Sequence, residues 1–373
     1  MEIMKHTYYR LQLKLTSPLS VGSGENRKSD SDVITRLDGS PYIPATTIAG
    51  VLGHWFDIEK RRNIFGFING NSSESSHVIF YDADLDKKSF VKVRDSVALK
   101  NKVAIKNAKF DFQVIEPGAE FVTIIELTKE NEILQSDIEK LAEAVSSSAL
   151  RFGRKTNRGY GIVEISRMQK AEFDFSDPKG KKAWLEFDPL DNAAWNEMPI
   201  VTISNTNEKS DVIKICLEQN GPLSIREYTT EIGEVERIKD NGEKVYKAVP
   251  DYRMMKLRNG EAVIPGTTWA GAFRSRFEEL SDIETTKALF GYVITKSQKT
   301  MPSKIIFSES TIKNNTKKII TRTAIDRFTS GAQSRALYTE ETCCNGTTSL
   351  LITIPKNTDE KKQTLTLCSY SRS

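Results

Sequence analysis

The chain opens on strict alternation. Over residues 7–16, Tyr9, Leu11, Leu13 and Leu15 alternate with Arg10, Gln12 and Lys14, which predicts a half-buried β-strand. A polar loop follows, then Ile-Pro-Ala-Thr-Thr at 43–47. Beyond it Ile48, Leu52 and Trp55 recur at helical spacing, predicting a helix over 48–61 with Thr46 or Thr47 as its N-cap. Strands are predicted at 77–83 and across 110–127, the latter folded about Pro117-Gly118. A helix at about 136–150 and a closing strand at 161–167 complete the set. Strand–helix–strand–strand–helix–strand is the order of the ferredoxin-like (RRM-like) α+β fold, which hosts many functions and decides none.

The same pattern occurs twice. DGSPYIPATTIAGVL (38–52) and NGEAVIPGTTWAGAF (259–273) align at an offset of 221, with Gly39, Ile43, Pro44, Thr46, Thr47, Ala49 and Gly50 identical in the second copy. Pro-Leu-Ser recurs at 18–20 and 222–224. Phe65-Gly66 recurs as Phe290-Gly291, HVIFYDA (77–83) as KIIFSES (304–310), and the strand pair 110–127 as 337–354. Duplication of a whole domain is the reading, with one copy over 1–168, a linker over 169–198 rich in Asp, Gly, Pro and Lys, and a second copy over 199–373.

The copies are not equal. Ser20 lies ten positions before Asp30, whereas Ser224 lies twenty-seven before Asp251. The extra residues centre on Asp240-Asn241-Gly242 with alternating flanks, which predicts an inserted hairpin. The second copy is also short after Ile354, with no counterpart of the glycine-rich stretch RFGRKTNRGYG (151–161) and no clear closing strand.

Composition adds little. Lys and Arg exceed Asp and Glu by four in 373 residues, so any polyanion site must come from local clustering. The four cysteines form no CxxC pair and the three histidines are scattered, which argues against structural zinc or a disulfide framework. The alternating N-terminus reads as a strand and not as a signal peptide, and no apolar run is long enough to span a bilayer; the expected compartment is the cytoplasm.

Three features together resemble the RAMP superfamily, in particular the backbone subunits of type III CRISPR effector complexes, and the two fused copies look most like the tandem backbone proteins of III-D-like systems. They are the Pro-Leu-Ser-x-Gly-Ser-Gly opening at 18–24, the Ile-Pro-x-Thr-Thr-x-Ala-Gly helix start found twice, and the glycine-rich loop. Segments 93–101 and 321–332 also resemble the stretch that leads into the family's thumb-like hairpin. The resemblance implies two tandem ferredoxin-like RAMP domains, the second lacking its C-terminal helix, strand and glycine-rich loop. It implies as partners a guide RNA, a complementary target RNA and other effector subunits, with no membrane. The activity it implies is cleavage of the target at regular intervals with Mg²⁺ or another divalent cation, using a loop aspartate and leaving a 2′,3′-cyclic phosphate and a 5′-hydroxyl.

Carried onto this chain, the loop aspartate is Asp30 in the first copy and Asp251 in the second, which coincide at the 221 offset; Asp32 is the fallback. Asp30 and Asp251 are the expected metal ligands. A carboxylate there suits holding Mg²⁺ against a phosphate or drawing the proton from a 2′-hydroxyl, and it equally suits a solvated, turn-forming Asp. In the glycine-rich loop, Gly153, Gly159 and Gly161 would admit phosphates, Arg151, Arg154, Lys155 and Arg158 would supply charge, and Tyr160 would stack on a base. A basic turn is the plain alternative. A dinucleotide loop would need strand and helix in the opposite order. Thr46, Thr47, Thr267 and Thr268 would offer hydroxyls and free amides to phosphate. Where family members carry a Lys and an Arg on that helix, this chain has Ala49 and Ala270, then Gly53 and Arg274, leaving Arg274 as a contact. Lys102 and Lys106, with Arg322, Arg327 and Phe328, would form the RNA-facing hairpins, Phe328 as a wedge; a solvated basic surface is the alternative.

Overall fold

The computed structural model describes residues 5–24, 29–70, 72–87, 89–100, 103–128, 132–204, 210–227, 234–238, 244–294 and 299–356. They form two compact units, one built mainly from 5–92 and 113–211, the other from 93–112 and 212–354.

The first unit begins with β1 (Lys5–Leu15), α1 (Ala45–Gly53), α2 (Ile58–Phe65) and a short ribbon, β2 (Phe67–Asn69) with β3 (Ser72–Glu74). Strands β4 (Val78–Phe80) and β5 (Asp84–Lys87) precede a long ribbon, β6 (Val91–Lys100) and β7 (Val103–Ile115), whose residues 93–112 group with the second unit. Then come β8 (Glu120–Leu127), α3 (Glu132–Ser146), β9 (Val163–Asp174) and α4 (Pro178–Glu186). The sheet order is β4-β8-β1-β9, with β5 also on β8, and its pairings are antiparallel. This is the ferredoxin-like arrangement the element order predicts.

Alternation along β1 assigns the two faces. Tyr9, Leu11, Leu13 and Leu15 pack in one core with Ile48 and Leu52 of α1 and Ile138, Leu141 and Val145 of α3. Each such buried aliphatic side chain contributes about 1.5–3 kcal/mol. Tyr8, Ile124, Ala171 and Phe173 form a second cluster with Trp195. The stretch expected to be a linker thus supplies a covering layer: Trp195 is fully buried, and its indole donates to the Pro189 carbonyl at 2.9 Å. Apolar residues on the far face of a sheet need cover, and β9 runs on to Asp174 to hold that cover in place.

The helix predicted over 48–61 is two helices, because Asp57 starts α2 by accepting the Lys60 amide at 2.8 Å. Neither threonine caps α1. Pro44 occupies the N-cap at φ −59°, and Thr46 and Thr47 lie inside the first turn. Pro265 does the same for the second copy. A proline supplies the required φ without a side-chain bond, so the hydroxyls are not consumed in capping.

The second unit contains β10 (Ser210–Glu218), a ribbon of β11 (Glu234–Ile238) and β12 (Lys244–Ala248), β13 (Ala262–Ile264), α5 (Gly266–Leu280) and α6 (Ile283–Phe290). A short ribbon, β14 (Tyr292–Ile294) and β15 (Lys299–Met301), leads to β16 (Ile306–Phe307) and β17 (Ser310–Lys313). The long ribbon β18 (Thr316–Ile325) and β19 (Ala332–Cys344) and then β20 (Thr347–Pro355) finish it. Its sheet runs β10-β20-β17-β13, with β16 also on β20. Among the described residues no strand pairs with the other edge of β10, the place β9 fills beside β1. The inserted hairpin is present as β11 paired with β12; its turn, 240–242, lies outside the described residues.

The duplication is structural in detail. Both α2 and α6 open on an aspartate cap, Asp57 and Asp282, and both end at a glycine of positive φ, Gly66 at +74° and Gly291 at +75°. A Cβ on either glycine would stand 2.3 or 2.4 Å from a backbone oxygen of the following ribbon, Glu74 or Met301. Only glycine fits that approach. None of the described helices is long and apolar enough to cross a membrane.

Candidate nucleic-acid interface

The aspartate loops hang from equivalent hydrogen bonds in the two units. Leu19 exchanges both backbone bonds with Ile115, at 3.0 and 2.8 Å; Leu223 does so with Cys343, at 2.9 and 2.9 Å. Gly22 bridges Val33, and Arg226 bridges Met254. Immediately after each aspartate, the carbonyls of Ser31 and Tyr252 accept from the amides of Gln113 on β7 and Glu341 on β19, at 2.9 and 2.8 Å. Asp30 and Asp251 therefore occupy the same point of the fold, each beside the long ribbon of its own copy.

Their immediate surroundings differ. Asp30 is exposed. Asp32 is buried, and its carboxylate accepts the Ser29 hydroxyl at 2.7 Å, so it pins the loop from inside. Asp251 directs Oδ2 onto Thr339 of β19, accepting from the amide at 2.6 Å and from the hydroxyl at 2.9 Å. The Thr339 amide and then its hydroxyl hold the Asp251 carboxyl below its ordinary range, so it is ionised at neutral pH.

In the first unit the glycine-rich loop is laid backbone to backbone on the segment that precedes Asp30. The amides of Arg154 and Gly161 donate to the carbonyls of Ser20 and Pro18, each at 2.8 Å, and the Ile162 amide donates to the Ser17 hydroxyl at 2.8 Å. Gly153 and Gly161 have φ of +75° and +76°, and a Cβ would stand 2.5 Å from the Ser20 oxygen or 1.9 Å from the Phe152 oxygen. Gly153 and Gly161 thus serve the loop's own packing. Gly159, at φ +87°, ends the single turn Thr156–Arg158. The packing carries Arg154 to the aspartate loop: its guanidinium donates to Ser31 Oγ at 3.1 Å and lies over Gly22.

A model of the RAMP superfamily matches residues 12–164 and 249–370, well over half of the chain. The chain belongs to the RAMP superfamily. The two matched regions contain the two aspartate loops and the two Ile-Pro-x-Thr-Thr helix starts. Among solved structures, one described as the type III-B Cmr-beta complex bound to cognate target RNA is similar at 18% identity and a TM-score of 0.37. The match covers 44% of this chain and 61% of that one, so this RAMP protein spans less than two thirds of its length. No curated protein matches the chain.

The glycine-rich loop of the first RAMP repeat carries four basic residues, Arg151, Arg154, Lys155 and Arg158. Arg154 and Arg158 are exposed, and Lys155 is half-buried in a left-handed conformation at φ 60°. Burial, then the nearby Arg158 and Arg154, push the Lys155 ammonium down to about 8. Anion binding by this loop is expected to weaken as pH climbs through about 8, because Lys155 then loses its charge. Titrating labelled RNA at stepped pH checks this, and Lys155→Arg should flatten the profile. Arg151 turns inward, where burial lowers its pKa to about 10, and donates to the Thr156 carbonyl at 3.3 Å. Tyr160 is 6% exposed and presents no face to a base, which corrects the stacking role expected for it.

The helix start of the first repeat is less available than the sequence implies. The Ala45 amide of α1 donates to the Asp82 carboxylate at 2.7 Å, and Arg36 pairs with the same group at 2.9 Å. An anion at that terminus would compete with Asp82. Thr46, Thr267 and Thr268 are exposed and Thr47 is half-buried. Arg274 is committed within its unit, to Glu278 at 3.0 Å and the Gly291 carbonyl at 3.2 Å.

On the long ribbons, Lys106 is exposed and Lys102 lies outside the described residues. Arg327 is exposed and Phe328 is 98% exposed in the turn joining β18 to β19, where Asp326 accepts the Phe328 and Thr329 amides at 2.9 Å. Arg322 pairs at 2.8 Å with Glu340, a buried carboxylate of β19. Sequence reasoning missed the cluster around it. Arg226 reaches the same Glu340 at 3.7 Å, and its guanidinium lies 3.6 Å from the centroid of Tyr252 and 5.8 Å from that of Tyr338. Its position opposite Gly22 in the duplication was the available signal.

Proposed function

We propose that this chain is a guide-RNA-binding backbone subunit of a type III CRISPR effector, acting in the cytoplasm, and that it cuts complementary target RNA beside each loop aspartate. Membership of the RAMP superfamily supports it. The observation that carries the reading is the placement of Asp30 and Asp251 at one equivalent point, each next to a residue touched by a guanidinium.

The exposed Asp30 carboxylate would draw the proton from a 2′-hydroxyl of the target. The 2′-oxygen then bonds to the adjacent phosphorus as the P–O5′ bond breaks and the departing 5′-oxygen takes a proton from water, leaving a 2′,3′-cyclic phosphate and a 5′-hydroxyl. Arg154 would neutralise the phosphate. Among the described residues no three His, Cys, Asp or Glu side chains converge, and the protein ligand proposed in each repeat is its loop aspartate. That set fits Mg²⁺, which commonly binds one or two carboxylates together with waters and phosphate oxygens. Asp30 and Asp251 would hold the ion, which would supply charge neutralisation at the scissile phosphate.

The chain purified with its companion subunits is expected to carry small RNA and to cut a complementary strand in Mg²⁺, with EDTA stopping the reaction. A preparation free of RNA at low salt, where phosphate contacts are strongest, would instead identify a protein-interaction module. Thr339's double hold on Asp251 favours a second reading for the second repeat alone, as a non-catalytic scaffold. Cutting at a single site would support it.

A further inference from the structure

We infer that Arg226 is the second repeat's substitute for Arg154: a guanidinium placed beside the loop aspartate, but supplied from the segment after the first strand and not from a glycine-rich loop. The inference rests on the RNA-binding reading above and names the residue that performs its phosphate contact in the second repeat.

The two repeats solve one placement problem from opposite sides. In the first, position 22 is glycine, and the space its side chain would fill is occupied by Arg154: a Cβ there would stand 2.7 Å from both Cζ and Nη1 of Arg154. The glycine-rich loop brings that arginine in by the bond from its amide to the Ser20 carbonyl. In the second repeat the residue with the same backbone pairing is Arg226, which bridges Met254 as Gly22 bridges Val33. No glycine-rich loop lies among the described residues of this repeat. A side chain now starts where the first repeat has none, and it carries the guanidinium itself.

Both guanidiniums end against the residue that follows the loop aspartate. Arg154 donates to Ser31 Oγ at 3.1 Å, and Arg226 lies 3.6 Å from the Tyr252 ring centroid. Tyr252 and Tyr338 meet edge to face at 5.4 Å, so Arg226 is held by aromatic surface as well as by Glu340. Glu340 does not cancel it, because Arg322 bonds the same carboxylate more closely, at 2.8 Å against 3.7 Å. With its side chain 52% exposed, Arg226 keeps guanidinium edge available to solvent and to a phosphodiester.

The test is fluorescence anisotropy of a short labelled single-stranded RNA on the full chain across a KCl series, comparing Arg226→Ala, Arg226→Lys, Arg154→Ala and the double alanine variant. Arg226→Ala and Arg154→Ala should each weaken binding several-fold, and each should make the salt slope shallower by about 0.7, one phosphate contact on a single strand. The double variant should lose both increments. Arg226→Lys keeps the charge, so it should retain the salt slope while binding less tightly, the planar stack on Tyr252 being lost. Circular dichroism melting verifies that each variant is folded, and Glu340 retains Arg322 when Arg226 is removed. An Arg226→Ala protein that is folded and binds with wild-type affinity and slope overturns the inference and leaves the RNA reading intact. A wild-type chain that binds no RNA at low salt overturns both.

Discussion

Asp30→Ala is expected to remove one of two cuts in a target RNA while leaving the other, and Asp251→Ala to remove the second. Loss of a positioned proton acceptor should slow the affected cut by about a hundredfold or more, the range for general acid–base groups. The two substitutions should act independently, because each carboxylate is anchored within its own copy, Asp30 next to the bond between Ser31 and Gln113 and Asp251 through Thr339. Mapping the product ends of a labelled complementary RNA cut by the assembled complex measures both. Survival of both cuts in the doubly substituted protein would refute the nuclease assignment. Asp32→Ala separates chemistry from support: Asp32 is buried and bonded to Ser29, so its loss should lower stability and affect cutting only through the loop.

The second large effect is on stability. Gly161→Ala should destabilise the first repeat by on the order of 3 kcal/mol, from strain at positive φ and a severe clash together. At φ +76° the added Cβ would stand 1.9 Å from the Phe152 carbonyl oxygen, and the residues involved are backbone, which cannot swing aside as a side chain can. Three hydrogen bonds that fasten the loop run through this neighbourhood: Phe152 amide to Gly161 carbonyl, Gly161 amide to Pro18 carbonyl, and Arg154 amide to Ser20 carbonyl. Loosening them should also free Arg154 from Ser31, so RNA affinity should fall with stability. Gly118→Ala is the comparison. Gly118 has φ +93° but nothing within 4 Å of the added Cβ, so only the conformational term of about 1–3 kcal/mol applies. Urea unfolding of the two variants distinguishes clash from strain. Equal losses would show that the loop does not pack as described.

Much of this fold is written locally. The alternation Tyr9, Leu11, Leu13, Leu15 names the helix-facing side of β1, and the 221-residue offset that aligns Gly39 with Gly260 also aligns Ser31 with Tyr252, which make matching backbone bonds. The inserted hairpin is legible for the same reason, since alternating flanks around a turn need no distant partner. Other expectations turned on partners that no local pattern contains. Tyr160 reads as a stacking residue until the fold leaves it 6% exposed. Thr46 and Thr47 read as caps until Pro44 takes that place, and the α1 amide reads as free until Asp82 claims it.

The sequence by itself determined that the protein is one α+β domain made twice, and where in each copy the loop aspartate falls, because period and repetition are properties of the chain. Only the tertiary structure decided which cations stand beside those aspartates. Arg154 reaches Ser31 across 123 positions, and Arg226 meets Glu340 only when β19 folds back beside the loop. Such meetings depend on which strands pair and on whether a side chain or a glycine occupies the shared space, and neither is a property of any one stretch of residues.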